Sequence, residues 1–153
     1  MGNFRKDFAS SLEAVDAIIE DFRSRGHDVE ELPRERQIEG DIEINGEKTI
    51  EIKFDLYAKR SGNLCFEMSN GKKPTGIMTT QADEVFYVVP NGTGKNVFVF
   101  DTEELRSYIQ VPGNVTIKKG GDRRKFDLAL VAITKIEEDE LPKRTFKIED
   151  TNA

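Results

Sequence analysis

Sixteen residues, Gly40 to Asp55 (GDIEINGEKTIEIKFD), constrain the fold more than any other stretch of this chain. Asn45-Gly46 is the strongest short-range signal for a two-residue hairpin turn, because such a turn needs positive φ at both central positions. Apolar residues alternate on either side of it. Past the turn, Ile50, Ile52, Phe54 and Leu56 fall on one face of a strand, and Glu51, Lys53 and Asp55 on the other. The pattern predicts strands over 38–44 and 48–57, and a third over 63–69 reached through a turn at Ser61-Gly62-Asn63.

Upstream the period changes from two to about 3.6. Leu12, Val15, Ile19 and Phe22 recur at three- and four-residue spacing, which predicts a helix from Ser10 or Ser11 to Arg25. Ser10 and Glu13 suit a capping box at its start, and Gly26 closes it. Glu13, Asp16 and Glu20 fall on an adjacent acidic stripe. A short strand is expected near Val29, then loop around Pro33. Downstream, Asn70–Pro74 reads as loop, 75–82 as a short helix, 84–89 as a buried strand and 96–100 as another. Asp101 then caps a helix to Ile109 with Glu104 in support, and 127–136 reads as the last strand. The order implies an α/β class: one mixed β-sheet flanked by helices, with an early antiparallel meander followed by alternating elements. Residues 1–136 are expected to form a single domain, and 137–153 a charged C-terminal extension.

Composition removes several kinds of chemistry. One cysteine, Cys65, excludes an intrachain disulfide, and one histidine, His27, leaves too few soft ligands for a zinc site. A Cys65–His27 nucleophile pair is weaker than the plain alternatives of a buried strand thiol and a surface imidazole. No apolar run spans a bilayer and the N-terminus lacks the layout of a secretory signal, so a cytoplasmic location without a membrane partner is expected. The formal net charge of −6 argues against a uniformly basic nucleic-acid surface but leaves room for local patches. Lys59-Arg60, Lys72-Lys73 and the run Lys118 to Lys125 are such patches, each readable as a solvated loop. Lys72, Lys73, Thr79 and Thr80 are candidates for phosphate contact. Phe86, Tyr87, Phe98 and Phe100 sit in strands and read as core.

The charged hairpin face carries the chemical signal. Asp41 and Glu51, with nine residues between them on the two arms, supply hard oxygen ligands, and Glu51-Ile52-Lys53 sets a lysine on the same face as the second acid. Mg²⁺ or Mn²⁺ favours one or two carboxylates, a backbone carbonyl such as that of Ile52, waters and substrate phosphate oxygens. Such an ion would activate water, and Lys53 could orient that water or stabilise the anionic transition state. The plainer reading is a solvent-facing ion pair worth less than about 1 kcal/mol.

A helix bearing Glu13, then Asp41, then Glu51-Ile52-Lys53 on a hairpin resembles the PD-(D/E)XK nuclease superfamily, especially its Holliday-junction resolvase-like members. The likeness covers residues 10–57; further on, GNLCFEMSNGKKPTGIMTTQAD (62–83) is more loosely similar to phage-encoded nuclease-like proteins. The resemblance implies a restriction-endonuclease-like core and a Mg²⁺-dependent (or Mn²⁺-dependent) endonuclease that hydrolyses DNA, at branched or junction sites, as a homodimer. It makes Asp41 and Glu51 metal ligands, Lys53 the catalytic lysine and Glu13 the supporting helix carboxylate, with Glu20 an alternative on the same stripe. Gly40 stands where the motif often has proline. A rival register uses Asp55 and Glu67, with Ser69 in the lysine position; it would extend the acidic face if a hairpin at Gly62 brought Glu67 opposite Asp55. The alternatives are an inactive nuclease-fold module that binds nucleic acid or a protein partner, and an acidic structural protein such as a DNA mimic.

Overall fold

The structure is a computed structural model that describes the backbone of residues 4–150 and the side chains of 11–150. It is α/β: a mixed six-stranded sheet with a helix on one face, and a smaller three-stranded sheet and further helices on the other. The first helix, α1 (Phe4–Ser24), starts earlier than the Ser10 capping signal, so Ser10 and Glu13 lie within it. Its end is as expected. The His27 amide donates to the Phe22 carbonyl (3.1 Å) and the Gly26 amide to that of Arg23 (3.0 Å), with Gly26 at φ 86°, which is a Schellman stop.

The strands are β1 (Val29–Glu31), β2 (Ile42–Ile44), β3 (Lys48–Phe54), β4 (Asn63–Ser69), β5 (Glu84–Asn91), β6 (Gly94–Asp101), β7 (Thr116–Gly120), β8 (Phe126–Ala132) and β9 (Arg144–Glu149). The large sheet runs β1-β2-β3-β5-β6-β9, and the small one β4-β8-β7. Within the large sheet β3 and β5 are parallel, while the other pairs are antiparallel. The Asn45-Gly46 turn takes positive φ at both residues (53° and 66°), as the sequence requires.

Two cores flank the large sheet. Ala14, Ile18 and Phe22 of α1 pack on Ile42, Ile50, Phe86, Val88 and Val97. On the opposite face Val85, Tyr87, Phe98 and Phe100 meet Leu64, Phe66, Ala129 and Val131 of the small sheet. They also meet α3 (Thr102–Ile109) and α4 (Ile133–Glu138). Strand β5 is buried on both sides, which explains its unbroken apolar run. The Asp101 carboxylate accepts from the Glu104 amide at 3.0 Å and caps α3 as expected.

Several expectations need correction: the 38–44 strand begins only at Ile42, after a 3₁₀ stretch at Arg34–Glu39, and the 127–136 strand ends at Ala132, where α4 begins. The meander does not continue into β4: a one-turn helix, α2 (Ala58–Ser61), ends at Gly62 and sends β4 into the small sheet. The 75–82 helix is only a 3₁₀ turn at Gly76–Met78. Within the expected charged extension, residues 144–149 belong to the large sheet: β9 pairs with β6 along six positions and packs Phe146 and Ile148 against the α1-side core, while 151–153 lie outside the described residues. The alternation of those two residues with Thr145 and Lys147 is the strand signal that the flanking charges conceal. No helix among the described residues is long and apolar enough to cross a membrane.

Candidate active site

The pleat of β3 separates two environments. Ile50, Ile52 and Phe54 turn toward α1, whereas Glu51, Lys53 and Asp55 turn to the face shared with Val85 and Tyr87, their neighbours on β5. The small sheet covers that face only in part. Glu51, Lys53 and Asp55 are therefore half-buried along an open margin.

Asp41 joins them from the end of β2. Its amide donates to the Ile50 carbonyl (2.8 Å), and its Oδ2 accepts from the Ile52 amide (2.6 Å). Gly40 makes this approach feasible: at φ 130°, a Cβ there would lie 2.8 Å from the Ile50 carbonyl oxygen. The proline that often precedes the motif aspartate is excluded, since its ring fixes φ near −65°. In a strand the N–H and C=O of one residue point to the same edge. The Ile52 carbonyl thus shares Asp41's edge, beyond the β2 ladder, which stops at the Ile42–Ile50 pair.

Burial pushes the Asp41 carboxyl above its ordinary value, against the pull of the Ile52 amide and the Lys53 ammonium. Burial raises the Glu51 carboxyl as well; the Asp41 charge adds to the rise, and Lys53 and the Thr80 side chain oppose it. The Lys53 ammonium lies 3.4 Å from Glu51 Oε2. Two half-desolvated carboxylates, a carbonyl on the same edge and one ammonium make an arrangement short of positive charge. That donor set fits a hard divalent cation. Among the described residues no group of three or more His, Cys, Asp or Glu gathers as a metal cage, so such an ion would rely on two carboxylates, the Ile52 carbonyl, water and substrate oxygens.

Other expected residues lie elsewhere. Glu13 bonds Lys95 (3.2 Å), and Lys95 opposes Pro90, toward the far end of β5 from the Val85–Glu51 pair. Glu20 lines the same acidic groove as Glu13. The direction of α1 across its face of the sheet therefore removes both helix carboxylates from the candidate metal position. The rival register also fails: Glu67 opposes Leu128 in the small sheet, Ser69 donates to Asp127, and Asp55 is held by the Tyr87 hydroxyl at 2.5 Å. Lys59 reaches Asn91 (2.9 Å), and Arg60 is on the same exposed turn. Thr79 is exposed, and its hydroxyl turns back to the Gly76 carbonyl. Thr80 is buried beside Glu51, where it supports the carboxylate and cannot serve as a surface phosphate contact. Lys72 and Lys73 are exposed at a loop tip near the small sheet. His27 lies 3.0 Å from Asn45 at the hairpin turn, while the Cys65 amide bonds the Tyr87 hydroxyl, so these two do not form a pair.

The sequence reading missed the strap that holds Thr80. Arg106 of α3 donates to the carbonyls of Ile77 (3.0 Å) and Thr80 (2.6 Å). The Gln81 amide donates to the Ile38 carbonyl (2.7 Å), and the Asp83 carboxylate accepts from the Thr49 amide (2.9 Å). Arg106 falls on a helix that reads as structural, and nothing local marks its reach. Compared with protein-family models, curated proteins and solved structures, the chain matches none, and its functional reading rests on the geometry of Asp41, Glu51 and Lys53.

Proposed function

We propose that the protein is a Mg²⁺- or Mn²⁺-dependent endodeoxyribonuclease. One observation carries the reading: Asp41, bonded through Oδ2 to the Ile52 amide, and Glu51, paired with Lys53, converge from separate strands, near enough that the Asp41 charge makes Glu51 harder to ionise. The resemblance of the same residues to the PD-(D/E)XK pattern supports it independently of the geometry.

A divalent ion bound by Asp41, Glu51 and the Ile52 carbonyl would supply Lewis acidity toward a phosphate oxygen and a bound water. The chain's own residues do the rest. Asp41 is fixed through the Ile52 amide, so its second oxygen faces the site in a set direction. Glu51 is oriented by Lys53 and Thr80. The Lys53 ammonium is placed to hold the attacking water or to offset charge as the phosphorus becomes five-coordinate. Glu51→Gln would remove a ligand without touching the sheet's hydrogen bonds, and Asp41→Asn keeps an amide oxygen that can still accept from the Ile52 amide.

The test is cleavage of supercoiled, linear, single-stranded and four-way-junction DNA with Mg²⁺, Mn²⁺ or EDTA. Cleavage should need the metal and fall by at least about 100-fold in Asp41→Asn, Glu51→Gln and Lys53→Met. Persistent nicking by purified Asp41→Asn and Glu51→Gln would overturn the assignment. Metal-dependent stabilisation without cleavage would favour the non-cutting binding module instead.

A further inference from the structure

A second surface lies across the margin from Lys53. The segment Thr116 to Lys125 holds five cations and one carboxylate, a net of +4 on a chain whose formal charge is −6. It forms β7 and the turn into β8, at the free edge of the small sheet. The four cations Lys118, Arg123, Arg124 and Lys125 are exposed, and none has a carboxylate within 4.0 Å among the described residues, whereas Lys119 is paired with Asp127 at 2.6 Å. Ser69 also bonds Asp127, which ties the start of the Asn70–Lys73 loop to the hairpin. Gly71 sits so close to the Lys125 carbonyl that a Cβ would lie 3.0 Å from it. Lys72 and Lys73 thereby join the hairpin cations on one rim.

Two features separate this from an ordinary solvated turn. Lys118 lines the same 480 Å³ groove as Lys53 and Asp55, so the cationic rim runs into the candidate active site. Arg123 and Arg124 both take left-handed backbone, at φ 56° and 54°. Glycine or asparagine would adopt it at lower cost, so a turn selected for stability alone would not place arginine at both positions.

We propose that the β7–β8 hairpin, with the Lys72-Lys73 loop, binds the phosphate backbone of duplex DNA and leads it into the groove beside Lys53. Regularly spaced phosphates suit several unpaired cations along an edge strand, and such contacts confer affinity and register with no sequence preference. The placement of the cut strand rests on the nuclease reading; the binding surface itself does not.

The experiment measures binding of a fluorescent 20-base-pair duplex in EDTA, from 50 to 200 mM salt, so that cleavage plays no part. Replacing Lys118, Arg123, Arg124 and Lys125 together by alanine should raise Kd at least about tenfold at 100 mM salt and lower the log–log salt slope by about three to four. Lys147→Ala, which removes an exposed cation on β9 away from this rim, should bind like the parent. Arg123→Gly with Arg124→Gly gives a second readout: it relieves the backbone while removing charge, so Tm should hold or rise while affinity falls. Parent-like affinity and slope in the quadruple variant would overturn the proposal, as would a parent protein that fails to bind duplex at 50 mM salt. If the quadruple variant loses binding while Asp41→Asn and Glu51→Gln still cleave in Mg²⁺, the binding surface stands and the assignment of those two carboxylates as metal ligands falls; if it loses binding and the parent cleaves no DNA in Mg²⁺ or Mn²⁺, the surface stands and the nuclease reading falls.

Discussion

Burial makes both Asp41 and Glu51 harder to ionise than in water, and for Asp41 it outweighs the opposing bond from the Ile52 amide. The linkage follows directly. A carboxyl whose folded value is raised binds its proton more tightly in the native state, so its contribution to stability is present at low pH. That contribution is lost as pH climbs from the ordinary values, 3.8 for Asp41 and 4.5 for Glu51, through the raised ones. Metal-free protein should therefore lose part of its stability on titration from about pH 4 toward neutrality, and Mg²⁺ or Mn²⁺ at pH 7 should restore it. Thermal melts with and without 10 mM metal check this; a metal-independent Tm at pH 7 would argue against ion binding by these carboxylates. For the same reason Glu51→Gln should raise the Tm of the metal-free protein at pH 7 by on the order of 2 °C while abolishing any metal-linked rise.

At the scale of elements, the site depends on two close approaches and one strap. Gly40 lets the chain pass against β3, and Gly76, at φ 58°, would place a Cβ 2.3 Å from the Glu67 carbonyl oxygen. Gly40→Ala is expected to cost about 2–3 kcal/mol in urea unfolding, since the added carbon meets backbone that belongs to a paired strand. Arg106→Ala should cost about 1.5–3 kcal/mol, because two part-buried carbonyls lose a charged donor. It should also reduce cleavage, as Thr80 is no longer held beside Glu51. Arg106→Lys would restore at most one of the two bonds and should fall between. These elements were unevenly legible. The Asn45-Gly46 hairpin, the α3 cap and the β5 run are local consequences of turn chemistry, capping and burial, and the sequence displays each. The strap is a long-range contact between a helix and a loop about 26–29 residues away, and it leaves no periodic trace.

For the molecule as a whole, β9 closes the large sheet. Lys143, just before it, pairs with buried Glu84 at 2.5 Å, and Lys48 of β3 reaches the same carboxylate from the other side at 3.3 Å. Deleting residues 142–153 would strip β6 of its partner, leave Phe86 without its edge contact from Phe146 and remove one of two cations from Glu84. The truncated chain should lose more than about 4 kcal/mol, or fail to melt cooperatively, as judged by circular dichroism and dye binding. A truncation that melts like the parent would show the strand to be dispensable.

The sequence by itself determined the hairpin, the alternation that sorts core from charge on β3, and the identity of the acids and lysine that share its outer face. Those follow from two-residue periodicity and one turn, which act over a few residues. Tertiary structure alone decided that Glu13 faces Lys95 and not Asp41, that β4 leaves the meander for a second sheet, and that the basic hairpin borders the groove. Each depends on how helices and sheets orient across a shared core, a balance of burial summed over distant residues that no local pattern records.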